Sequence, residues 1–271
     1  MYWLIVPVVL IMFRSTISSR LSPLLESVSP QKAAFYGHLM TLVFATIYII
    51  PFEFLGLGVL KRPAYLASLW TNLLTMLWTI KSNYGAPPMP QISGYSMTAL
   101  KQSFQSSAMT LAPWLQKAMN GVDFHFVFFV LIFISAYPSV WALCILGRRS
   151  LWSVCSYCSK NTPESRLWKL CAGSWDKLKA REAEVLHYSV LGEILLGMWL
   201  VVSIALPSRQ FLTTILYWNF LKTRYQVPRS HELHLKVWQQ LGAQVDPVFK
   251  KVPILQKPLD LAKGWFQPQL A

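Results

Sequence analysis

The stretch FHFVFFVLIFISAYPSVWALCILGRRSLWSVCSYC, residues Phe124–Cys158, decides how the chain is read. As one straight helix at ~1.5 Å per residue it would reach roughly 50 Å, against a bilayer hydrocarbon core of ~30 Å. It is too long to cross once and too short to cross comfortably twice. Pro138 is the natural place for a bend, because it lacks an N–H and its ring clashes with the preceding turn. A stretch folded back at its middle is a membrane hairpin.

Two further blocks follow the same plan. Ala33–Ile80 is interrupted by Lys61-Arg62-Pro63, and Val185–Leu221 by Pro207-Ser208-Arg209. The expected organisation is an apolar N-terminal segment with a basic linker (1–32), a membrane domain (33–221, with blocks 33–80, 124–158 and 185–221) and a basic amphipathic tail (222–271). The expected fold class is an all-α integral membrane protein of helical hairpins, with four to six membrane helices and amphipathic surface helices. Composition agrees. Of 271 residues, 54% are apolar and 13% charged, against about 25% charged in soluble domains. Mean hydropathy is +0.38. The 12 Trp suit interfacial belts.

Charge bounds the partners. Lys and Arg number 25 against 11 Asp and Glu. The excess lies beside apolar segments, which points to anionic lipid headgroups rather than nucleic acid. It also separates two topologies. If single spans at about 33–60, 64–80, 124–147 and 185–206 alternate, the basic linker Arg148–Glu184 falls opposite both termini, against the positive-inside tendency. If all three blocks are hairpins, the linkers and termini share the cytosolic side and hold most of the basic residues. Only Lys61, Arg62 and Arg209 stay at the tips, with Arg148 and Arg149 inside the second block. Charge favours hairpins, although Ala33–Leu60 is long enough for a full span.

The linkers read as surface helices. Thr162-Pro163-Glu164 has the form of a helix start, with Thr as N-cap. Leu167, Leu170, Cys171, Ser174 and Leu178 then fall near one face. Met97, Leu100, Phe104, Leu111 and Leu115 make a similar stripe. In the tail Leu233, Val237, Trp238, Leu241 and Val245 recur at helical spacing, and the segment 259–266 ends in Trp265-Phe266. Such helices lie on lipid or pack on protein. The apolar residues 1–13 precede Arg14 and Arg20, the reverse of a secretory signal. The Ser- and Arg-bearing stretch 14–32 keeps a mitochondrial address open.

Little here is chemistry. Cys155 and Cys158 form C-x-x-C without a second ligand pair, and His231-Glu232-Leu233-His234 lacks the H-E-x-x-H spacing. No metal, cofactor or catalytic residue is expected. Glu53 and Glu193 sit inside apolar blocks, where acids are functional candidates by default. The plainer expectation for Glu193 is a structural ion pair across hairpins, with Arg148 or Arg149 as the cation.

Three segments in order, Phe126–Pro138 (FVFFVLIFISAYP), Glu184–Leu200 (EVLHYSVLGEILLGMWL) and Ile215–Tyr225 (ILYWNFLKTRY), resemble the transmembrane protein 33 family, whose fungal members are pore-membrane proteins of the nuclear envelope. Leu39–Gly56 resembles that family's first membrane segment, and the likeness spans roughly 33 to 266. The resemblance implies a multi-span protein of the endoplasmic reticulum and nuclear envelope. It also implies association with reticulon-type membrane proteins, influence on membrane shape, and a membrane-binding C-terminal region that Leu233–Phe266 would supply. The candidate residues are therefore membrane and structural ones: Glu53, Pro138, Arg148, Arg149, Glu193, Pro207, Lys222, Arg224, Tyr225, Trp238 and Trp265. Two other readings remain: an accessory subunit of a larger membrane complex, and a transporter with Glu53 and Glu193 lining a path.

Overall fold

The computed structural model describes residues 29–51, 58–87, 111–206 and 210–249, with Gly264; all regular structure among them is helical. The N-terminal segment, Glu53, Pro207 and Trp265 lie outside the described residues. The chain divides into two compact units, Met1–Val130 and Leu131–Ala271.

In the first unit, α1 (Pro30–Ile49) starts with Ser29, whose hydroxyl accepts from the Lys32 N–H at 3.4 Å. It stops at Ile50, whose extended backbone is what a residue before proline adopts. A short 3-10 turn (Gly58–Leu60) leads into α2 (Lys61–Tyr84). Lys61-Arg62-Pro63 is thus the first turn of a helix and not the expected breaker; proline is tolerated there because those N–H groups have no intrahelical partner. The two helices run antiparallel. Thr41 faces Ser68 and Thr71, Gly37 faces Thr75, and Tyr48 stacks on Tyr65. Small and hydroxyl-bearing residues dominate this contact. The Ser68 hydroxyl donates to the Thr41 carbonyl at 3.1 Å, and the Thr41 and Thr71 hydroxyls lie 3.2 Å apart. Helices in lipid associate this way, since apolar contact alone gives no preference over acyl chains. Gly85 ends α2 at φ 78°, a backbone state that glycine adopts without strain. Helix α3 (Leu111–Met119) is tied to that end by Trp114, whose indole N–H donates to the Tyr84 carbonyl at 3.2 Å. It meets α4 (Val122–Ile134) at an 86° bend.

Pro138 lies in the break between α4 and α5 (Val140–Asn161), and Ser139 caps α5 by accepting from the Ala142 N–H. Thr162 is not the N-cap expected for the next helix. It closes α5, its N–H bonded to the Cys158 carbonyl, and Ser165 occupies the N-cap position of α6 (Arg166–Ala180). A single residue, Arg181, joins α6 to α7 (Glu182–Ser203). Helices α8 (Phe211–Gln226) and α9 (Pro228–Phe249) follow. α7 and α8 form an antiparallel hairpin: Thr214 meets Leu200, Trp218 meets Gly197, and Arg224 meets Glu193.

Residues 221 and 222, either side of the expected boundary, both lie in α8, and the helical part of the basic tail continues in α9. From Leu233 to Leu241 the tail's apolar stripe packs on protein. Val237 is buried with Val190 and Ile194, and Leu233, Trp238 and Leu241 pack against them. The α6 stripe shows the opposite. Trp175 is buried against Trp152 of α5 at 4.8 Å, whereas Leu167 and Leu170 are 77% and 81% exposed.

Among the described residues two helices, α1 and α7, are long and apolar enough to cross a membrane, or three if the bent pair α3–α4 counts as one span.

Candidate functional site: a buried ion cluster joining three helices

Glu193 projects from the middle of α7 and is fully buried. Arg224 from α8 grips it with two nitrogens: Nε lies 3.3 Å from Oε2 and Nη2 3.4 Å from Oε1. The planar guanidinium fork matches a carboxylate, and this is the two-point geometry that lysine does not supply. From α9, His234 brings Nε2 to 3.6 Å from Oε2. Its other nitrogen, Nδ1, faces the Ser230 carbonyl at 2.9 Å, so Nδ1–H donates there and fixes the ring. The Tyr217 hydroxyl donates to the Glu193 backbone carbonyl at 2.8 Å. Ser230, whose hydroxyl donates to the Arg224 carbonyl, ties the start of α9 to the end of α8. Arg148 on α5 lies within electrostatic reach of both Glu193 and Arg224.

The cation expected for Glu193 is therefore corrected. Arg224 makes the direct contact, Arg148 acts at longer range, and Arg149 is a neighbour on α5. Tyr225 stacks on His231 at 4.7 Å, and the His231 Nδ1–H donates to the Tyr225 carbonyl. Trp238 sits 6.4 Å from Trp218. Lys222 lies half-buried on α8. His234 and Tyr217 were not among the residues expected at this site. Yet a signal was present: Glu193 and Arg224 lie almost symmetrically about Ser208, so folding the block at its breaker superposes them.

Among the described residues no group of three or more His, Cys, Asp and Glu is placed to hold a metal ion. The cluster's chemistry is electrostatic. One carboxylate, clamped by a guanidinium and faced by an imidazole, holds α7, α8 and α9 in one register.

The family model for Transmembrane protein 33/Nucleoporin POM33 matches residues 92–251. The chain belongs to this family. The match lies inside the 33–266 span of the resemblance, covers every residue of the ion cluster and excludes the α1–α2 pair. No curated protein and no solved structure matches the chain. Membership and the apolar helices make this a membrane protein.

Proposed function

We propose that the chain is a non-enzymatic organiser of endoplasmic reticulum and nuclear-envelope membrane. It acts as a wedge in one leaflet and as a scaffold for other membrane proteins, with anionic lipid headgroups and reticulon-type proteins as partners. The observation that carries this reading is the level at which α9 meets the α7–α8 hairpin. Helix α9 exposes Glu232, Lys236, Gln239 and Gln240, side chains too polar for hydrocarbon, while its inner face rests on Val190, Glu193 and Ile194. Glu193 and Arg224 then mark the headgroup level, with Trp218 and Trp238 beside them as interfacial aromatics do. Beyond that level each arm has about 13 residues, or roughly 20 Å of helix, short of the ~30 Å core. The exposed apolar residues Leu195, Trp199, Val202, Phe211, Leu212 and Ile215 fall in this distal part. A hairpin that enters one leaflet and returns enlarges that leaflet alone, and unequal areas favour curvature.

The test is the sidedness of the tip. In a cysteine-free full-length chain, Leu206→Cys should resist impermeant maleimide applied from the lumenal side of sealed microsomes. Lumenal labelling as strong as that of a known lumenal loop would overturn the reading. The accessory-subunit reading would instead show co-purification at fixed stoichiometry in mild detergent. A transporter reading is weakened by the Arg224 clamp, which engages both carboxylate oxygens of Glu193.

A further inference from the structure

We propose that α6 is itself a membrane-contact element, seated on an anionic leaflet by its Leu167–Leu170 edge. This rests on the wedge reading and names a second lipid contact beside the hairpin. The two amphipathic helices of this unit carry the same sequence signal and meet different fates. The α9 stripe is covered by α7. The α6 stripe is left open: Leu167 and Leu170 are the most exposed leucines among the described residues, and Cys171 and Ser174 on the same face are exposed with them. The open edge is held in a fixed direction. Trp168 and Trp175, about a quarter-turn around the helix from it, stack on each other, and Trp175 stacks on Trp152 of α5. α6 therefore cannot roll its leucines inward without breaking the tryptophan packing.

Three observations favour a lipid surface as the occupant. Connectivity is the first: only Arg181 separates the C-terminal end of α6 from α7, which tethers α6 within about 12 helical residues, roughly 18 Å, of the headgroup level at Glu193. Charge is the second: α6 holds Arg166, Lys169, Lys177 and Lys179 against Asp176 alone. Placement is the third: Arg166 and Lys177 flank the leucine edge on the side away from the tryptophans, where their stems can lie on lipid and their charges reach headgroups. A leaflet bearing phosphatidylserine matches this arrangement, an apolar strip one turn deep with cations beside it.

The test uses Cys171 as a depth probe on the full-length protein. With Cys144, Cys155 and Cys158 changed to Ser, Cys171 is labelled with an environment-sensitive nitrobenzoxadiazole dye. The protein is reconstituted in nanodiscs of phosphatidylcholine, with or without phosphatidylserine, containing chain-brominated lipid. Emission should shift to the blue and fall about twofold through bromine quenching, more so with phosphatidylserine, and aqueous iodide should quench little. Leu167→Glu with Leu170→Glu should reverse that pattern. The measurement with the native leucines stands alone should that variant fail to fold. Free iodide quenching without bromine quenching overturns the proposal. So does protection that appears only as copies or a partner protein are added, which would make the edge a protein interface. Loss of α6 contact with the Leu206→Cys tip still shielded refutes this inference and leaves the wedge intact; a lumenally labelled tip refutes the wedge itself.

Discussion

Glu193 shows what one misplaced charge would do. A buried carboxylate is tolerable only while its cation is present, and removing one partner strands the other, at about 3–5 kcal/mol. Glu193→Gln and Arg224→Met should each lower the thermal midpoint of the detergent-solubilised protein sharply. The pair Glu193→Leu with Arg224→Met should recover part of the loss, because an apolar pair of similar volume needs no compensation, while His234 and Arg148 still lose the carboxylate they face. Equal losses in all three would mean that the contact is not what holds these helices. The glycines give a second contrast. A Cβ on Gly37 would overlap the Thr75 side chain, and threonine is stiff at χ1, so Gly37→Ala should cost roughly 1–3 kcal/mol and loosen α1 from α2. A Cβ on Gly197 would sit 2.7 Å from the tip of Leu221, a flexible chain end, and 3.3 Å from the Tyr217 ring, which need give only a few tenths of an ångström. Helix propensity returns up to ~1 kcal/mol there, so Gly197→Ala should be near neutral in the same melting assay. Neither contrast is legible from residue type alone. The Glu193 acid was visible as an anomaly in an apolar run, but its partner 31 positions away appears only when the chain is folded at 207–209.

Among the elements, periodicity located helices well and said little about what each face touches. The stripes of α6 and α9 are alike on paper. What separates them is tertiary: α9 follows α8 closely enough that Ser230 and His234 lock it against the hairpin, while α6 turns its tryptophans to α5. Val237→Asp would place an unpaired carboxylate in the Val190–Ile194 cluster. It should free α9, seen as new protease cleavage between Val227 and Phe249 with the upstream hairpin intact; unchanged digestion would mean that α9 is not held by that cluster. Position, not composition, decides what each proline does. Pro138 lies in a true break, whereas Pro63 falls in a first turn, and Pro51 is the proline that follows α1. Thr162 follows the same rule: a hydroxyl residue between two helices can close one or open the next, and here it closes α5.

For the molecule in its bilayer, the proposed wedge makes the depth of the hairpin the quantity to vary, and it can be changed without touching the site. Seven residues make close to two helical turns, so inserting seven apolar residues after Val202 and seven before Leu212 preserves the faces of both arms while adding roughly 10 Å to each. The arms beyond Glu193 and Arg224 would then reach about 30 Å, the full core. The ion cluster, α9 and α6 all lie on the near side of the insert and should stay in register. If curvature comes from filling one leaflet, the native chain should narrow reconstituted vesicles, whereas the lengthened chain should fold with an unchanged ion cluster, expose its tip to lumenal maleimide and narrow them no longer. The basic stretch 160–181 should remain open to protease on the cytosolic face in both forms, because the added helix changes where the hairpin ends and not where it enters. Vesicles narrowed equally by both forms would place the shape effect elsewhere, in the surface helices, and would make the depth of the hairpin irrelevant to it.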